Sequence, residues 1–322
     1  MTPSFTPDQL MVVIPILNAG SFAERQVSEF AKQGIDPACF LVIDSESNDG
    51  SPNAYRAFGA EVLVIDRSTF NHGGTRRFAT EYRPEPELIV MLTQDAIPTT
   101  ENTLIAILDS FDDPKVGLAY GRQMPRHEAT AIERHARITN YRAENEVRTF
   151  EDRKTLGIKT VFSSDSFAAY RRSALNEVGG FPQDAYFAED QILAGKMLMA
   201  GWSLAYRGDA PVIHSHDYSI KEEFQRYFDV GVFHARNEWL LKEFGVAEGE
   251  GMRFLKSEFA YLLREDPLSL PSAALRTFAK YIGYRLGRSE SSLSTATKLK
   301  VSMQPFYWRK SEQAFEPTRL KK

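Results

Sequence analysis

The feature that most constrains the fold is a regular alternation of short apolar segments with helix-like segments in the first half of the chain. The apolar segments are rich in Val, Ile and Leu and do not alternate with polar residues, which is typical of strands buried on both faces. Strands are predicted at 11–16, 39–44, 61–65, 88–93 and 116–121, and helices at 21–33, 52–58, 73–82 and 102–111. This order predicts right-handed βαβ units and an α/β fold with a mostly parallel central sheet flanked by helices.

The second half has a mixed pattern. It predicts a helix over 129–148, a strand over 161–170, a helix from Glu189 to about Ala200, and short strands over 203–206 and 211–214. From Asp217 onward the pattern is helical. We therefore expect an α/β domain over 1–217 and a helical C-terminal extension over 218–322.

Composition limits the function classes. The 322 residues are 43% hydrophobic and 25% charged, which is ordinary for a soluble globular protein with a normal core. The net charge of −4 gives no reason to expect a nucleic-acid partner. The single cysteine, Cys39, excludes an intrachain disulfide framework and a cysteine-rich zinc site, and it fits a reducing compartment. The first apolar run is short and contains Pro15, so we expect no signal peptide, no membrane span and a cytoplasmic location.

Positive charge is concentrated at the C-terminal end. Residues 271–322 contain eleven Lys and Arg and three acidic residues, a net charge of +8, so the preceding 270 residues carry −12. Four apolar residues share one helical stripe, namely Leu275, Phe278, Ile282 and Leu286, and Arg276 and Lys280 fall on another face. Two interpretations remain open. The stripe makes a peripheral contact with an anionic membrane at the inner face of the cell membrane, or it packs on the α/β domain and leaves the charges solvated.

Polar residues follow the predicted parallel strands at their carboxyl ends, where ligands bind in such sheets. Asn18 follows the first strand, the segment 44–51 follows the second, and Gln94 follows the fourth. Carboxylates in 44–51 can accept hydrogen bonds from a uracil- or thymine-like base or from ribose, and Gly50 can bring backbone N–H groups near a phosphate. The same residue types are favoured in Asx turns and helix caps, so this segment alone leaves both interpretations open.

Other segments offer acid–base and metal chemistry. Asp95 could hold Mg²⁺ or Mn²⁺ against a diphosphate, and strand alternation places His214 and His216 on one face, where neutral imidazoles bind such ions. Asp190 opens a helix and could deprotonate an acceptor hydroxyl. The segment 71–76 could contact a sugar or a pyrophosphate. Each of these features also has a structural alternative. Asp95 would lie in a strand-to-helix turn, and the two histidines would be a chance pair. Asp190 would be an acid favoured at a helix N-terminus, and 71–76 would be a glycine-rich helix start.

In order and spacing, these motifs resemble those of family 2 glycosyltransferases over about two thirds of the chain, from Met11 to Tyr218. The motifs that carry the resemblance are Val13-Ile14-Pro15-Ile16-Leu17-Asn18, Asp44-Ser45-Glu46-Ser47-Asn48-Asp49-Gly50-Ser51, Thr93-Gln94-Asp95, Phe167-Ala168-Ala169-Tyr170-Arg171-Arg172, Val178-Gly179-Gly180-Phe181 and Glu189-Asp190. The resemblance implies a GT-A type fold with a Rossmann-like sheet and a helical C-terminal extension.

Three segments carry a narrower resemblance, to bacterial rhamnosyltransferases of polysaccharide assembly. They are Phe70-Asn71-His72-Gly73-Gly74-Thr75-Arg76, Leu92-Thr93-Gln94-Asp95-Ala96 and His214-Ser215-His216-Asp217-Tyr218-Ser219. The resemblance implies dTDP-L-rhamnose as donor, inversion at the anomeric carbon, a glycan or lipid-linked acceptor, and a divalent cation, Mg²⁺ or Mn²⁺.

Site residues follow from the same resemblance. Asp190 is the implied base, and Asp95 and His216 are the implied metal ligands. The donor nucleotide is assigned to eight residues: Pro15, Asn18, Asp44, Ser45, Ser47, Asp49, Gly50 and Gln94. The donor sugar and pyrophosphate are assigned to four: Asn71, His72, Gly73 and Arg76. One departure matters, because Thr93 and Gln94 stand where many family members have acids, so metal binding depends on Asp95 with help from elsewhere.

Three alternatives compete with this function. The first is transfer from another nucleotide sugar, UDP- or GDP-linked. The second is a catalytically degenerate scaffold that binds sugar nucleotides, an idea motivated by Thr93 and Gln94. The third is a nucleotidyltransferase, which the sequence disfavours because Asn18-Ala19-Gly20-Ser21 after the first strand is not a glycine-rich phosphate loop.

Overall fold

A mixed sheet forms the centre of the protein in the computed structural model, which describes residues 5–185, 187–247, 249–310 and 318–321. The described residues form nine strands: β1 (Leu10–Ile16), β2 (Phe40–Asp44), β3 (Glu61–Val64), β4 (Leu88–Leu92), β5 (Ile97–Pro98), β6 (Val116–Met124), β7 (Glu146–Arg148), β8 (Phe167–Arg171) and β9 (Ser203–Ile213).

Helices cover both faces of this sheet and make up the C-terminal region. In the described residues they are α1 (Ser21–Phe30), α2 (Ser51–Phe58), α3 (His72–Tyr82), α4 (Thr103–Leu108), α5 (Ala131–Asn140), α6 (Arg153–Leu156), α7 (Arg172–Glu177), α8 (Glu189–Met199), α9 (Ile220–Arg236), α10 (Glu238–Phe244), α11 (Glu250–Glu265), α12 (Leu270–Arg288), α13 (Thr295–Val301) and α14 (Pro305–Lys310).

The strand order is β3-β2-β1-β4-β8-β6-β9-β5, and β7 pairs with the first part of β9. Strands β3, β2, β1 and β4 run parallel, as do β6 and β9, whereas β8 lies antiparallel between β4 and β6. Most paired residues therefore belong to parallel ladders, and the predicted α/β fold with a mostly parallel sheet is confirmed. The chain reverses its strand order between β1 and β4, so a ligand crevice is expected at their carboxyl ends.

Both faces of the parallel strands are buried. Val12 and Val42 point to the side covered by α1, α2 and α4, and Val13 and Ile43 point to the side covered by α8. Successive residues of a strand point to opposite faces, so a strand covered on both sides needs apolar residues at every position. This is why the apolar runs of the sequence show no alternation.

The middle of the chain differs from its predicted elements. The helix predicted over 129–148 ends at Asn140, and Glu146–Arg148 pairs with β9 as a strand. The strand predicted over 161–170 begins only at Phe167, after a 3-10 turn. The two strands predicted near 203 and 211 are one strand, because β6 pairs along both parts across an irregularity in register. Each difference is set by a pairing partner distant in sequence, which a local pattern does not contain.

Helices α9 and α12 pack closely because three glycines meet at their crossing, Gly231 of α9 and Gly283 and Gly287 of α12. A Cβ atom on Gly287 would lie 2.0 Å from the carbonyl oxygen of Phe228, and one on Gly231 would lie 2.3 Å from that of Tyr284. This contact sets the rotation of α12. It directs Leu275 and Phe278 to solvent, with 57% and 65% of their surface exposed.

Two basic residues of α12, Arg276 and Lys280, lie on its inner side. Lys280 Nζ is 3.3 Å and Arg276 NH1 is 3.9 Å from Glu223 Oε1 of α9. Leu286 is partly buried against the cluster around Phe228. Neither sequence interpretation anticipated that Arg276 and Lys280 would face inward while most of the apolar stripe is exposed, and Arg285 is exposed as well. Among the described helices, none combines the length and apolar character needed to cross a bilayer.

Candidate active site

Hydrogen bonds interlock the loops after β1 and β2. The backbone N–H of Asn18 donates to Ser47 Oγ at 2.8 Å, and Asn18 Oδ1 accepts from the backbone N–H of Asn48 at 2.9 Å. The backbone N–H of Gly20 donates to Asp49 Oδ2 at 2.8 Å. Asn18 has a φ of 49°, which asparagine tolerates better than most residues. The predicted nucleotide segment and the first strand end therefore form one rigid edge.

The two aspartates of this edge hold its backbone in place. Asp49 Oδ1 accepts from the Ser51 hydroxyl at 2.7 Å and from the Ser51 backbone N–H at 3.0 Å, and these bonds lower the pKa of Asp49. Asp44 is buried, and its Oδ1 accepts from the Ser47 backbone N–H at 3.0 Å. Gly50 has a φ of 79° at the start of α2, which glycine adopts without strain. The loop therefore has the Asx turn and helix cap that were the alternative to nucleotide binding for this segment. It also lies beside a cavity.

That cavity, here named the donor cavity, has a volume of about 400 Å³ and lies at the carboxyl ends of β1, β2 and β4. Pro15, Ser45 and Gln94 line it from the strand ends, and Asn71, His72 and Arg76 line it from the loop before α3 and from α3. Ser45 Oγ is buried and has no hydrogen-bond partner among the described residues. Six of the residues assigned from the sequence to the donor therefore share one cavity.

Gln94 connects β1 to β4 at the bottom of the donor cavity. Its Oε1 accepts from the backbone N–H of Leu17 at 2.8 Å, and its Nε2 lies 3.3 Å from the carbonyl oxygen of Leu17. The buried side chain of Gln26 donates to the carbonyl oxygens of Thr93 and Ala96, each at 2.8 Å. Hydrogen bonds from Gln94 and Gln26 thus fix the turn that carries Asp95. The glutamine at position 94 therefore stabilises the turn by bonding to the backbone of Leu17.

The start of α3 is shaped by its cap and by a glycine. Asn71 Oδ1 caps the helix by accepting from the backbone N–H of Gly74 at 2.6 Å. A Cβ atom on Gly73 would lie 2.0 Å from the carbonyl oxygen of Pro182, so only glycine fits there. Arg76 is buried and pairs with Glu189 at 2.5 Å and with Asp165 at 3.1 Å. Because two carboxylates already face its guanidinium, the contact predicted between Arg76 and the donor remains a prediction.

A second cavity, the reaction groove, has a volume of about 310 Å³ and continues from the donor cavity, with which it shares His72, Arg76 and Thr93. Asp95, His214 and His216 lie in it. Nε2 of each histidine is 3.5 Å from Asp95 Oδ2, and one ligand atom from each of the three residues falls within 4.8 Å of the others. The structure thus brings the two ligands implied by the resemblance, Asp95 and His216, together with His214, the other histidine of the pair.

Neighbouring groups orient this cluster. Nδ1 of His214 lies 2.9 Å from Gln123 Oε1, which also accepts from Arg137 NH1 at 2.8 Å, so His214 presents Nε2 to Asp95. Burial lowers the pKa of His214 to about 3 and also lowers that of His216, which keeps both imidazoles neutral. Burial acts to raise the pKa of Asp95, but its polar interactions with His214 and His216 hold it below its usual value.

The donor set fits a divalent cation. Neutral imidazole nitrogens and an ionised carboxylate are ligands for ions of the Mn²⁺ type, whereas Mg²⁺ prefers oxygen ligands alone. A hydrogen bond from the second ring nitrogen to an outer group, here Gln123, is usual for a metal-binding histidine. The residues present therefore fit Mn²⁺ better than Mg²⁺.

Asp190 lies in the same groove, partly exposed, in the first turn of α8. Its Oδ2 accepts from the backbone N–H of Asp165 at 3.1 Å and its Oδ1 from that of Gln191 at 2.7 Å. Burial, followed by the negative charges of Asp165 and Glu189, raises the pKa of Asp190 well above its usual value. A carboxylate with a raised pKa is a better proton acceptor near neutral pH.

Sequence reasoning missed groups supplied by distant segments. Gln304, which immediately precedes α14, and Tyr307, within α14, line the donor cavity, and Gln304 also lines the reaction groove. Trp308 anchors this segment and is buried against Phe228. The aromatic and basic run 306–310 was the only sequence signal near them, and it suggested a membrane contact instead.

Comparison with known proteins agrees with this geometry. Residues 11–179, more than half of the chain, match the family described as Glycosyl transferase family 2. The chain is a family 2 glycosyltransferase. The enzyme is therefore an inverting glycosyltransferase, and the family resemblance inferred from its motifs is confirmed.

Two curated relatives match the glycosyltransferase over nearly its whole length. It is 45% identical to the O-antigen chain rhamnosyltransferase WbaN of Salmonella anatum over 307 residues, 95% of this chain and 96% of the relative. It is 44% identical to the O-antigen chain rhamnosyltransferase RfbN of Salmonella typhimurium over 301 residues, 93% of this chain and 96% of the relative.

Solved structures confirm the GT-A type fold of the glycosyltransferase. The mannosyltransferase PcManGT of Pyrobaculum calidifontis, in complex with GDP-Man and Mn²⁺, matches with a TM-score of 0.55 and 19% identity over 96% of this chain and 88% of that one. S. aureus TarS 1-349, in complex with UDP-GlcNAc, matches with a TM-score of 0.50 and 14% identity over 95% and 91% of the two chains. At these identities the likeness concerns the fold alone.

Proposed function

We propose that this glycosyltransferase transfers L-rhamnose from dTDP-L-rhamnose to a hydroxyl of a glycan or lipid-linked acceptor. The observation that carries the proposal is the arrangement of one continuous cleft. Residues assigned to the donor line one end, and Asp95, His214, His216 and Asp190 line the adjoining groove. The two rhamnosyltransferases that are 44–45% identical to this chain support rhamnose as the transferred sugar.

The nucleotide is placed at the edge formed by the loops after β1 and β2. Asp44, Ser45 and the backbone around Gly50 are its contacts, and Asn18, Ser47 and Asp49 act by holding that edge in shape. Ser45 Oγ supports this assignment because it is buried at the cavity without a partner among the described residues. A base or ribose group hydrogen-bonded to Ser45 would offset the cost of that burial.

The sugar and pyrophosphate are placed between the nucleotide and the metal cluster. Asn71, His72 and Arg76 line this part of the cleft, and Gly73, at the start of α3, lies against the carbonyl oxygen of Pro182. Asp95, His214 and His216 would hold a divalent cation there, Mn²⁺ in preference to Mg²⁺. Such a cation would neutralise the charge that develops on the leaving diphosphate.

Asp190 is the proposed base. The acceptor hydroxyl oxygen forms a bond to the anomeric carbon while the bond from that carbon to the diphosphate oxygen breaks, and the hydroxyl proton moves to the Asp190 carboxylate. A single displacement inverts the anomeric centre without a covalent intermediate, as in inverting glycoside hydrolysis. Here one carboxylate is enough, because a diphosphate leaves without the general acid that a glycosidic oxygen requires. The raised pKa of Asp190 suits this role, because the proton acceptor works best with a pKa near the operating pH.

Peripheral contact with an anionic membrane belongs to the same proposal, since a lipid-linked acceptor resides there. The exposed apolar side chains of α12 support it, and α12 has no acidic residue. The basic side chains Arg276 and Lys280 do not, because they pair with Glu223 on the inner side.

A donor panel tests the proposal. The purified enzyme is incubated with Mn²⁺ and each of dTDP-L-rhamnose, UDP-glucose and GDP-mannose, and release of the nucleoside diphosphate is measured by chromatography. We expect release from dTDP-L-rhamnose above all. Preferential release from a UDP- or GDP-linked sugar would show another donor. Calorimetric binding of every donor without release would show a scaffold.

A further inference from the structure

A third cavity, here named the β6–β9 cavity, has a volume of about 480 Å³ and has no part in binding the donor or the metal as proposed. Tyr120 of β6 and Tyr206 of β9 form its floor, and Asn140 and Arg142, at the end of α5 and just beyond it, line its rim. A preformed cavity of several hundred Å³ with a few polar groups is typical of a ligand site.

The position of this cavity relates it to the reaction. Phe162 lines both the β6–β9 cavity and the reaction groove. The groove in turn shares His72 and Arg76 with the donor cavity. The β6–β9 cavity, the reaction groove and the donor cavity therefore adjoin in that order, and Asp190 lies in the reaction groove. A molecule bound in the β6–β9 cavity would reach Asp190 past Phe162 without crossing the donor cavity.

The lining of the cavity indicates the class of ligand. Three aromatic rings stand together, with the ring of Tyr120 centred 5.0 Å from that of Tyr206 and 5.9 Å from that of Phe162. The apolar aromatic carbons at this floor suit the C–H groups of a sugar ring, and the amides and charged groups at the rim suit its hydroxyls.

Charge argues against a phosphate-bearing ligand. The cations that line the cavity, Arg142, Arg148 and Lys159, are matched by three acids, Glu144, Glu146 and Glu250, and Lys159 pairs with Glu250. An anion would meet as many carboxylates as cations. A neutral ligand rich in hydroxyls avoids this cost.

The cavity is also rigid. Arg148 is buried, and its guanidinium donates to the carbonyl oxygens of Lys159 at 2.6 Å and Phe162 at 3.0 Å and to the hydroxyl of Tyr120. One side chain thus ties β7 to the segment that carries Phe162 and to the cavity floor. A site held in its final shape loses less entropy on binding.

We propose that the β6–β9 cavity is the acceptor subsite and binds the sugar units of a neutral glycan beyond the one that reacts. This inference rests on the proposed function, since it takes Asp190 as the base and a sugar nucleotide as the donor.

A matched pair of variants tests it. Asn140→Trp fills the rim of the cavity, whereas Ile138→Trp adds the same bulk two residues away, at an exposed position of α5 outside the cavity lining. The probes are octyl glycosides of common hexoses and their disaccharides, with dTDP-L-rhamnose and Mn²⁺. We expect Asn140→Trp to raise the acceptor KM by about tenfold or more. Donor affinity and acceptor-independent donor hydrolysis stay unchanged, and Ile138→Trp matches the wild type throughout.

The outcomes separate this inference from the proposed function. If the wild type neither binds nor hydrolyses dTDP-L-rhamnose, the proposed function fails. If it hydrolyses the donor and no glycoside accepts the sugar, or if Asn140→Trp leaves the acceptor KM unchanged, the acceptor subsite is wrong. Saturation-transfer NMR of the octyl glycosides with donor-free enzyme gives a second readout. The subsite predicts that the signal is lost in Asn140→Trp and kept in Ile138→Trp, and persistence of the signal in a folded Asn140→Trp would overturn it.

Discussion

The guanidinium of Arg76 lies 2.5 Å from the carboxylate of Glu189, and the next residue along the chain is Asp190. Arg76 also faces Asp165, which accepts from the hydroxyl of Tyr170 at 2.5 Å and whose backbone N–H donates to Asp190. Burial raises the pKa of Asp165 to about 6 even beside Arg76. One buried arginine therefore connects α3 to the first turn of α8 and balances the charges around the proposed base.

Removal of this arginine should destabilise the protein. Arg76→Met leaves Glu189 and Asp165 buried without their cation, and loss of one partner from a buried ion pair costs about 3–5 kcal/mol. Urea denaturation followed by circular dichroism would measure the loss. The control is Arg77→Met, because Arg77 is only half-buried, its pair with Glu81 is worth less than about 1 kcal/mol, and its other contacts are long hydrogen bonds to the carbonyl oxygens of Gly179 and Phe181. Equal free energies of unfolding for the two variants would contradict the structural role of Arg76.

Replacement of Asp190 should separate binding from chemistry. Asp190→Asn keeps the shape of the side chain but accepts no proton, so we expect kcat to fall on the order of 10²–10⁴-fold while the donor Kd stays near the wild-type value. Single-turnover transfer and calorimetric titration with the donor measure the two quantities. Near-normal turnover would remove Asp190 from the mechanism.

The raised pKa of Asp190 also predicts a pH dependence. A base must be deprotonated to act, so activity is full above the pKa of Asp190 in the free enzyme and declines as the pH falls through it. Because burial and the neighbouring carboxylates raise this pKa, the acid limb of kcat/KM should lie well above the usual range of an aspartate. In Arg76→Met the loss of a nearby cation should move that limb to still higher pH. A limb at the ordinary aspartate pKa would contradict the assignment.

Metal affinity should depend on a residue that does not touch the metal. Gln123→Leu removes the partner of His214 Nδ1 and leaves the three proposed ligands in place. Loss of such an outer hydrogen bond typically costs 10–100-fold in metal affinity, so we expect about that loss for Mn²⁺, measured by electron paramagnetic resonance of the free ion. Asp95→Ala should lose more and should also weaken donor binding in Mn²⁺. His127→Ala is the control, since His127 is exposed and outside the groove. Equal donor affinity with and without a chelator would count against the metal role.

The sequence predicts the part of the site that depends on local pattern and strand order. Strands buried on both faces have a distinctive composition, and parallel order places Asn18, Asp44 and Gln94 at one edge without knowledge of any side-chain contact. The rest depends on partners far apart in the chain. Arg76 meets Glu189 across 113 residues, and His214 meets Gln123 across 91. No periodicity records such pairings, and for the same reason the sequence did not place Gln304 at the donor cavity.

The orientation of α12 changes what a membrane test must target. Apolar side chains of α11, α12 and the turn between them are exposed, namely Met252, Phe259, Leu263, Leu268, Leu275, Phe278, Tyr281 and Ile282. Burial of one such side chain contributes about 1.5–3 kcal/mol. Leu275→Ser with Phe278→Ser should therefore reduce partition to vesicles of phosphatidylglycerol on the order of a hundredfold, measured by sedimentation.

Two controls make this prediction specific to the outer face of α12. Ile138→Ser replaces an exposed apolar residue on α5, so partition should not change. Lys280→Met removes a cation that pairs with Glu223 on the inner side, so it should lower the free energy of unfolding and leave vesicle binding unaltered. If the Lys280 variant lost vesicle binding while the Leu275 and Phe278 variant kept it, the contact would be electrostatic and the exposed apolar side chains would not be the membrane-facing surface. If neither the wild type nor any variant sediments with the vesicles, the membrane contact is excluded.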